Sequence, residues 1–176
     1  FALTGVSTVA STGKVIVNVA NPVGDSTLVK FSLRGGLNNT PGTRFAYSNT
    51  GYLILGKIIE KITGMKYECY VKQEIFDPLG IHDIHLGNNL ENNKLERETG
   101  YFSSATSRSC YGDGEIVPAH YGGFNLEAMN AHGGWIASAP DLTKLLLAVD
   151  GFTTSPDIIQ PATFELMKQG GSVNPK

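Results

Sequence analysis

The chain has 176 residues, 41% of them hydrophobic and 17% charged, with a formal net charge of −2. That length fits one ordinary domain able to bury a core, and the mild acidity, without any run of Lys or Arg, argues against a nucleic-acid-binding surface. No apolar run reaches the roughly 18 residues that cross a bilayer. The start, Phe1-Ala2-Leu3-Thr4-Gly5, lacks the basic and long apolar regions of a signal peptide and has no methionine, so the chain reads as a soluble, trimmed piece.

Residues 1–26 are rich in Gly, Ser, Thr and Val, and Lys14 to Ala20 reads as an extended segment. Residues 27–38 predict a short helix with Leu28, Phe31 and Leu33 as candidate core contacts. Pro41-Gly42 predicts a tight turn, because proline presets φ and glycine accepts φ > 0. Leu55, Ile58, Ile59 and Ile62 then recur at i, i+3, i+4 and i+7, which predicts a helix over 50–63 with a buried apolar stripe, stopped by Gly64. Gly51 to Lys57 matches most of a phosphate-binding loop. Ile58, however, stands where a Ser or Thr would hold Mg²⁺, and bulky residues fill the variable positions, so the stretch is a helix. Tyr67, Tyr70, Val71 and Ile75 continue helical spacing and predict a second helix over 66–76, packed on the first and ended by Asp77-Pro78.

Asn88 to Asn93 reads as a loop, and Thr99 to Gly123 as a short hairpin with a long surface loop. Ser138 makes a natural N-cap. Pro140 and Asp141 suit a first turn, and Leu142, Leu145, Leu146 and Val149 give another apolar face, predicting a helix over 139–149. A last helix is expected over 161–169, before Gly170-Gly171. The fold class is therefore α+β, mainly helical, with no internal repeat. Cys69 and Cys110 read as free buried thiols, with one disulfide as the alternative. Four histidines without an HExxH pattern, His82 and His85 among them, give no metal site. His132, beside Gly133-Gly134, reads as a ring satisfied by backbone at a tight turn, Trp135 as core, and Asn38-Asn39-Thr40 as a glycosylation sequon.

Tyr47-Ser48-Asn49 sits where turn becomes helix, a place from which side chains can project off a rigid backbone. A tyrosine and an asparagine at a helix start are commonly a half-buried aromatic and an N-cap. Acyl transfer to a serine, by contrast, needs a base for the hydroxyl proton, and a tyrosine serves only where nearby cations lower its pKa. Asparagine carries a donor and acceptors, and so can hold a lysine and a substrate carbonyl in one geometry.

The stretch Pro41-Gly42-Thr43-Arg44-Phe45-Ala46-Tyr47-Ser48-Asn49 resembles the second motif of the serine β-lactamase-like hydrolases, the family of class C β-lactamases, D-alanyl-D-alanine carboxypeptidases and related esterases. The similarity continues through Pro78-Leu79-Gly80-Ile81, Tyr121-Gly122-Gly123-Phe124 and His132 to Leu142. The resemblance implies that Tyr47 and Asn49 are catalytic, that Ser48 is a spacer, that no cofactor is used, and that the substrate is a small-molecule or peptide acyl compound. It leans to an extracytoplasmic location. The family's nucleophile lies in Ser-x-x-Lys on a helix. Ser11-Thr12-Gly13-Lys14 matches the letters, but Val15-Ile16-Val17 disfavours a helix and Tyr47 follows too soon. Lys61-Ile62-Thr63-Gly64 is a helix terminus rather than the family's third motif, Lys-Thr-Gly or His-x-Gly. Residues 1–176 are thus expected to be a single partial domain, the helical middle section without most of the α/β part, inactive alone and prone to self-association. The alternative is a non-catalytic helical binding module derived from that fold.

Overall fold

The computed structural model describes residues 8–10, 13–15, 21–35, 37, 39–152 and 154–169, the first two stretches as backbone only. Two short strands, β1 (Thr8–Ala10) and β2 (Gly13–Val15), pair antiparallel. The helices are α1 (Asp25–Arg34), α2 (Asn49–Thr63), α3 (Tyr67–Val71), α4 (Ala139–Leu147) and α5 (Pro161–Lys168). Strand β3 (His85–Leu86) pairs with β6 (Trp135–Ile136), and β4 (Thr106–Arg108) with β5 (Ile116–Pro118), both antiparallel. The chain is mainly helical with small ribbons, as its periodicities predict, and the 99–123 segment holds the expected hairpin.

The core forms where the second predicted helix lies. Val71, Phe76, Ile81 and Ile84 are buried together, and Tyr67, Tyr70, Ile75, Leu79, Trp135 and Leu145 pack on them. Phe76 meets Trp135 edge-on at 5.1 Å between ring centroids, and the Trp135 indole N–H donates to the Tyr67 hydroxyl at 3.3 Å. The segment is not one helix over 66–76. α3 gives way to a π-turn over Lys72–Phe76 and a 3₁₀ turn over Asp77–Leu79, which carries Pro78 in its first turn and closes on Gly80 at φ 63°. Widening the turn rotates Phe76 inward, a displacement that a regular 3.6-residue repeat does not provide. Replacing Phe76 by Ala should lower unfolding free energy by about 3–5 kcal/mol, the cost of an aromatic cavity. Urea denaturation would measure it, and a loss under about 1 kcal/mol would mean that the ring is not a core anchor.

Helix α2 corrects the sequence reading most. Most of its apolar stripe does not face the core: Leu55, Ile58 and Ile62 are 54%, 46% and 79% exposed, and only Ile59 is half-buried. The buried positions are Leu53 and Gly56, with Lys57 and Glu60 half-buried below them. Gly56 seats the helix on the 3₁₀ turn Asn130–His132, where a Cβ would come within 2.7 Å of the Ala131 methyl. Backbone closeness at a glycine, with an ion pair beside it, thus outweighs the stripe in choosing the packed face. The same holds in part for α4, where Leu145 and Ala148 turn inward while Leu142 and Leu146 stay exposed, and for α1, whose Leu33 is exposed.

Candidate active site

The approach to α2 is set by a tight turn. Gly42 takes φ 76°, and both the backbone N–H and the hydroxyl of Thr43 donate to the Thr40 carbonyl, at 3.2 and 2.7 Å. Ser48 is then extended, at φ −145° and ψ 100°, and its Oγ accepts the Gly51 N–H at 2.9 Å. Ser48 is therefore the N-cap of α2. The cap role common for an asparagine at a helix start belongs here to Ser48, and Asn49 is the first helical residue. Replacing Ser48 by Ala should cost about 1 kcal/mol, with Asp restoring most of it, as urea midpoints would show; equal stability of all three would remove the cap from the account.

Tyr47 and Asn49 flank this cap and both are exposed. Tyr47 is 79% accessible rather than half-buried, and neither its phenol nor the Asn49 amide makes a hydrogen bond among the described residues. The nearer of the two lysines on α2 is already engaged: Lys57 Nζ lies 2.6 Å from Asp25 Oδ2 and 2.6 Å from Glu60 Oε2, while Lys61 sits in the last turn. The Asn130 amide also donates to Asp25 Oδ2 at 3.1 Å. Burial pushes the Asp25 carboxyl up, but the hydrogen bonds from Lys57 and Asn130 and the Lys57 charge outweigh it and hold the group below its ordinary range. Burial likewise lowers Lys57, and Asp25 and Glu60 more than reverse this, so the ammonium is held above its usual value. The two shifts agree on an ionised pair. It borders an open groove of about 490 Å³ that Glu60, Lys66, Tyr67 and Asn130 also line, at the end of α2 away from the Tyr47 triplet. Sequence reading missed this bridge. Its signal was the i, i+3 pair Lys57 and Glu60 on the same face as Leu53 and Gly56.

Of the other singled-out positions, Ser11 lies outside the described residues and Lys14 is on β2, not a helix. The sequon's Asn38 also lies outside them. His132 has a buried Nδ1 that no other residue hydrogen-bonds, and burial lowers its pKa more than contact with its own backbone raises it. Both cysteines are free, Cys110 buried but Cys69 exposed, against the expectation of two buried thiols. Among the described residues no three His, Cys, Asp or Glu side chains gather as metal ligands, and no helix is long and apolar enough to cross a membrane. The 88–93 loop carries the fully buried Asn89, whose side chain donates to Asn125 Oδ1 at 3.1 Å and accepts the Glu127 N–H at 3.0 Å. Asn125 in turn donates to the Val23 carbonyl at 2.7 Å, tying three distant segments together.

With this geometry in place, comparison with known proteins gives a consistent result. The family model described as Beta-lactamase matches residues 7–175. The D-amino acid amidase from Ochrobactrum anthropi SV3, solved with L-phenylalanine amide, is 28% identical at a TM-score of 0.53, covering 80% of this chain and 39% of that one. A D-stereospecific amidohydrolase from Streptomyces sp. shares the fold at a TM-score of 0.57 and 22% identity, covering 78% and 37%. A putative D-alanyl-D-alanine carboxypeptidase of Salmonella paratyphi B is 41% identical over 56 residues, 32% of this chain and 13% of that protein. The chain thus spans well under half the length of these relatives.

Proposed function

From the premise that the chain belongs to the serine β-lactamase family, we propose that it is the helical section of a longer hydrolase that forms an acyl-enzyme with a β-lactam, a D-alanyl peptide or a small ester. In this reading residues 1–176 are a partial domain whose α/β counterpart supplies the nucleophilic serine, its lysine and the oxyanion hole. Tyr47 takes the serine proton as the serine oxygen bonds to the acyl carbon, then returns it to the departing nitrogen or oxygen. Water, activated at the same place, later releases the acid. Asn49 orients the lysine and the substrate carbonyl.

The observation that carries the reading is the division of labour within the triplet. Ser48 spends its oxygen on capping α2, while Tyr47 and Asn49 on either side are exposed and keep their polar groups unspent. The amidase and carboxypeptidase relatives favour a hydrolase over the binding-module alternative. The test is to trap the intact protein with a β-lactam and map the adduct by mass. A modified serine within a Ser-x-x-Lys outside residues 47–49 is expected; an adduct on Ser48 would overturn the assignment.

The exposed stripe of α2, with Leu142 and Leu146 of α4, is on the same proposal apolar surface that the α/β part covers. Left uncovered, it should make the isolated chain self-associate. Sedimentation is expected to show a concentration-dependent rise in mass, and a strict monomer that binds no hydrophobic dye would count against it.

A further inference from the structure

The imidazole of His85 stands in a line of charges that ties β3 to α3. Lys72 Nζ lies 2.9 Å from His85 Nδ1 and 2.7 Å from Glu68 Oε1. The same Glu68 oxygen accepts the backbone N–H of Leu86 at 3.3 Å. Beyond the ring, Asp83 Oδ1 is 3.7 Å from His85 Nε2, and Arg97 holds the other Asp83 oxygen at 2.8 Å. The strand paired with β3 brings only Trp135 and Ile136, so the charges around the ring are those of Glu68, Lys72, Asp83 and Arg97.

A charged lysine has three donors and no acceptor, so its contact with Nδ1 requires a lone pair there. That fixes the neutral tautomer with its proton on Nε2, directed to the Asp83 side. A second proton would set N–H against N–H and one cation against another. Lys72 must then leave, and the new Nδ1–H competes with the Leu86 amide for the Glu68 oxygen. In the arrangement with Lys72 in place Glu68 is ionised: burial pushes its carboxyl up, but hydrogen bonds from Lys72 and Leu86 and the nearby positive charge hold it below the usual range.

We propose that His85 is an acid-sensitive latch: neutral, it accepts from Lys72 at the start of the π-turn and, with Glu68 of α3, holds β3 in place; protonated, it expels Lys72 and frees the Leu86 end of the β3–β6 ribbon. Acidification is the signal such a contact would read, because histidine is the side-chain type whose charge ordinarily changes between about pH 5 and 8. It is independent of the acyl-transfer reading.

Imidazole ¹⁵N spectra and amide exchange on the full chain test it. At about pH 7.5 His85 should carry its proton on Nε2. On going to about pH 5, the amide of Leu86 and that of Gly87, which donates to the Gly134 carbonyl, should exchange about tenfold faster than intrinsic chemistry accounts for. His85→Gln keeps an acceptor for Lys72 and cannot titrate, so it should abolish the step. His82→Gln, at an exposed ring beside Asp77, should leave it unchanged. A proton on Nδ1 at neutral pH in the unaltered chain overturns the latch, as does an acid step that survives in folded His85→Gln.

Discussion

Mixed alone with a chromogenic cephalosporin or a p-nitrophenyl ester, the 176-residue chain should show no turnover and no covalent adduct by mass. The argument is subtractive. A tyrosine works as a base only where cations draw the proton off it; of the two lysines on α2, Lys57 is committed to Asp25 and Glu60 at 2.6 Å each, and Lys61 lies in the last turn, at the far end of the helix from Tyr47. A nucleophile and an oxyanion hole are also needed, and such groups fail as a unit rather than in proportion. Lys14, the one described end of the literal Ser-x-x-Lys, is on an antiparallel strand, a setting that does not place it one turn from a serine. Turnover abolished by Ser11→Ala would sink this expectation and make that motif the nucleophile; turnover lost in Ser48→Ala would mean that the triplet's roles were misassigned.

In the intact protein, Tyr47→Phe should lower kcat and kcat/KM together by about 10²–10⁴-fold, the usual worth of a positioned proton-transfer group. The same change should leave stability within about 0.5 kcal/mol, because the phenol is exposed and without a hydrogen bond among the described residues. The pairing of results separates chemistry from packing. An aromatic that merely closes a helix start would lose neither activity nor stability when its hydroxyl is removed, so kcat/KM within about tenfold of the parent would refute the assignment.

The sequence was most legible where local chemistry decides. Gly64 stops α2 at φ 72°, Ser138 caps α4 by accepting the Asp141 N–H, and the turn at Gly42 forms as its residues require. These outcomes need only the neighbouring peptide groups. The face that a helix buries was less legible, because a stripe such as Leu55, Ile58 and Ile62 says that something apolar is wanted but not that the chain provides it. What α2 packs on was settled instead by Gly56 against Ala131 and by Lys57 with Asp25, partners remote in sequence. The π-turn over Lys72–Phe76 was illegible for a related reason: it inserts one residue into the repeat so that Phe76 reaches Trp135, a demand made by the other side of the core. Within the candidate site, the triplet's position at the head of a helix was readable, whereas the capping use of Ser48 was not.

The seat of Gly56 divides α2 into positions with opposite mutational freedom. With no room for even one methyl on the inner face, that side fixes both the depth and the rotation of the helix. The outer side can therefore be rewritten without a compensating change within. On the proposed reading, Lys, Glu or Gln at 55, 58 and 62 would turn the chain into a soluble handle on the Tyr47 triplet, one that can be labelled, titrated and recombined with an α/β counterpart supplied separately, provided the graft restores the apolar letters before the two are joined.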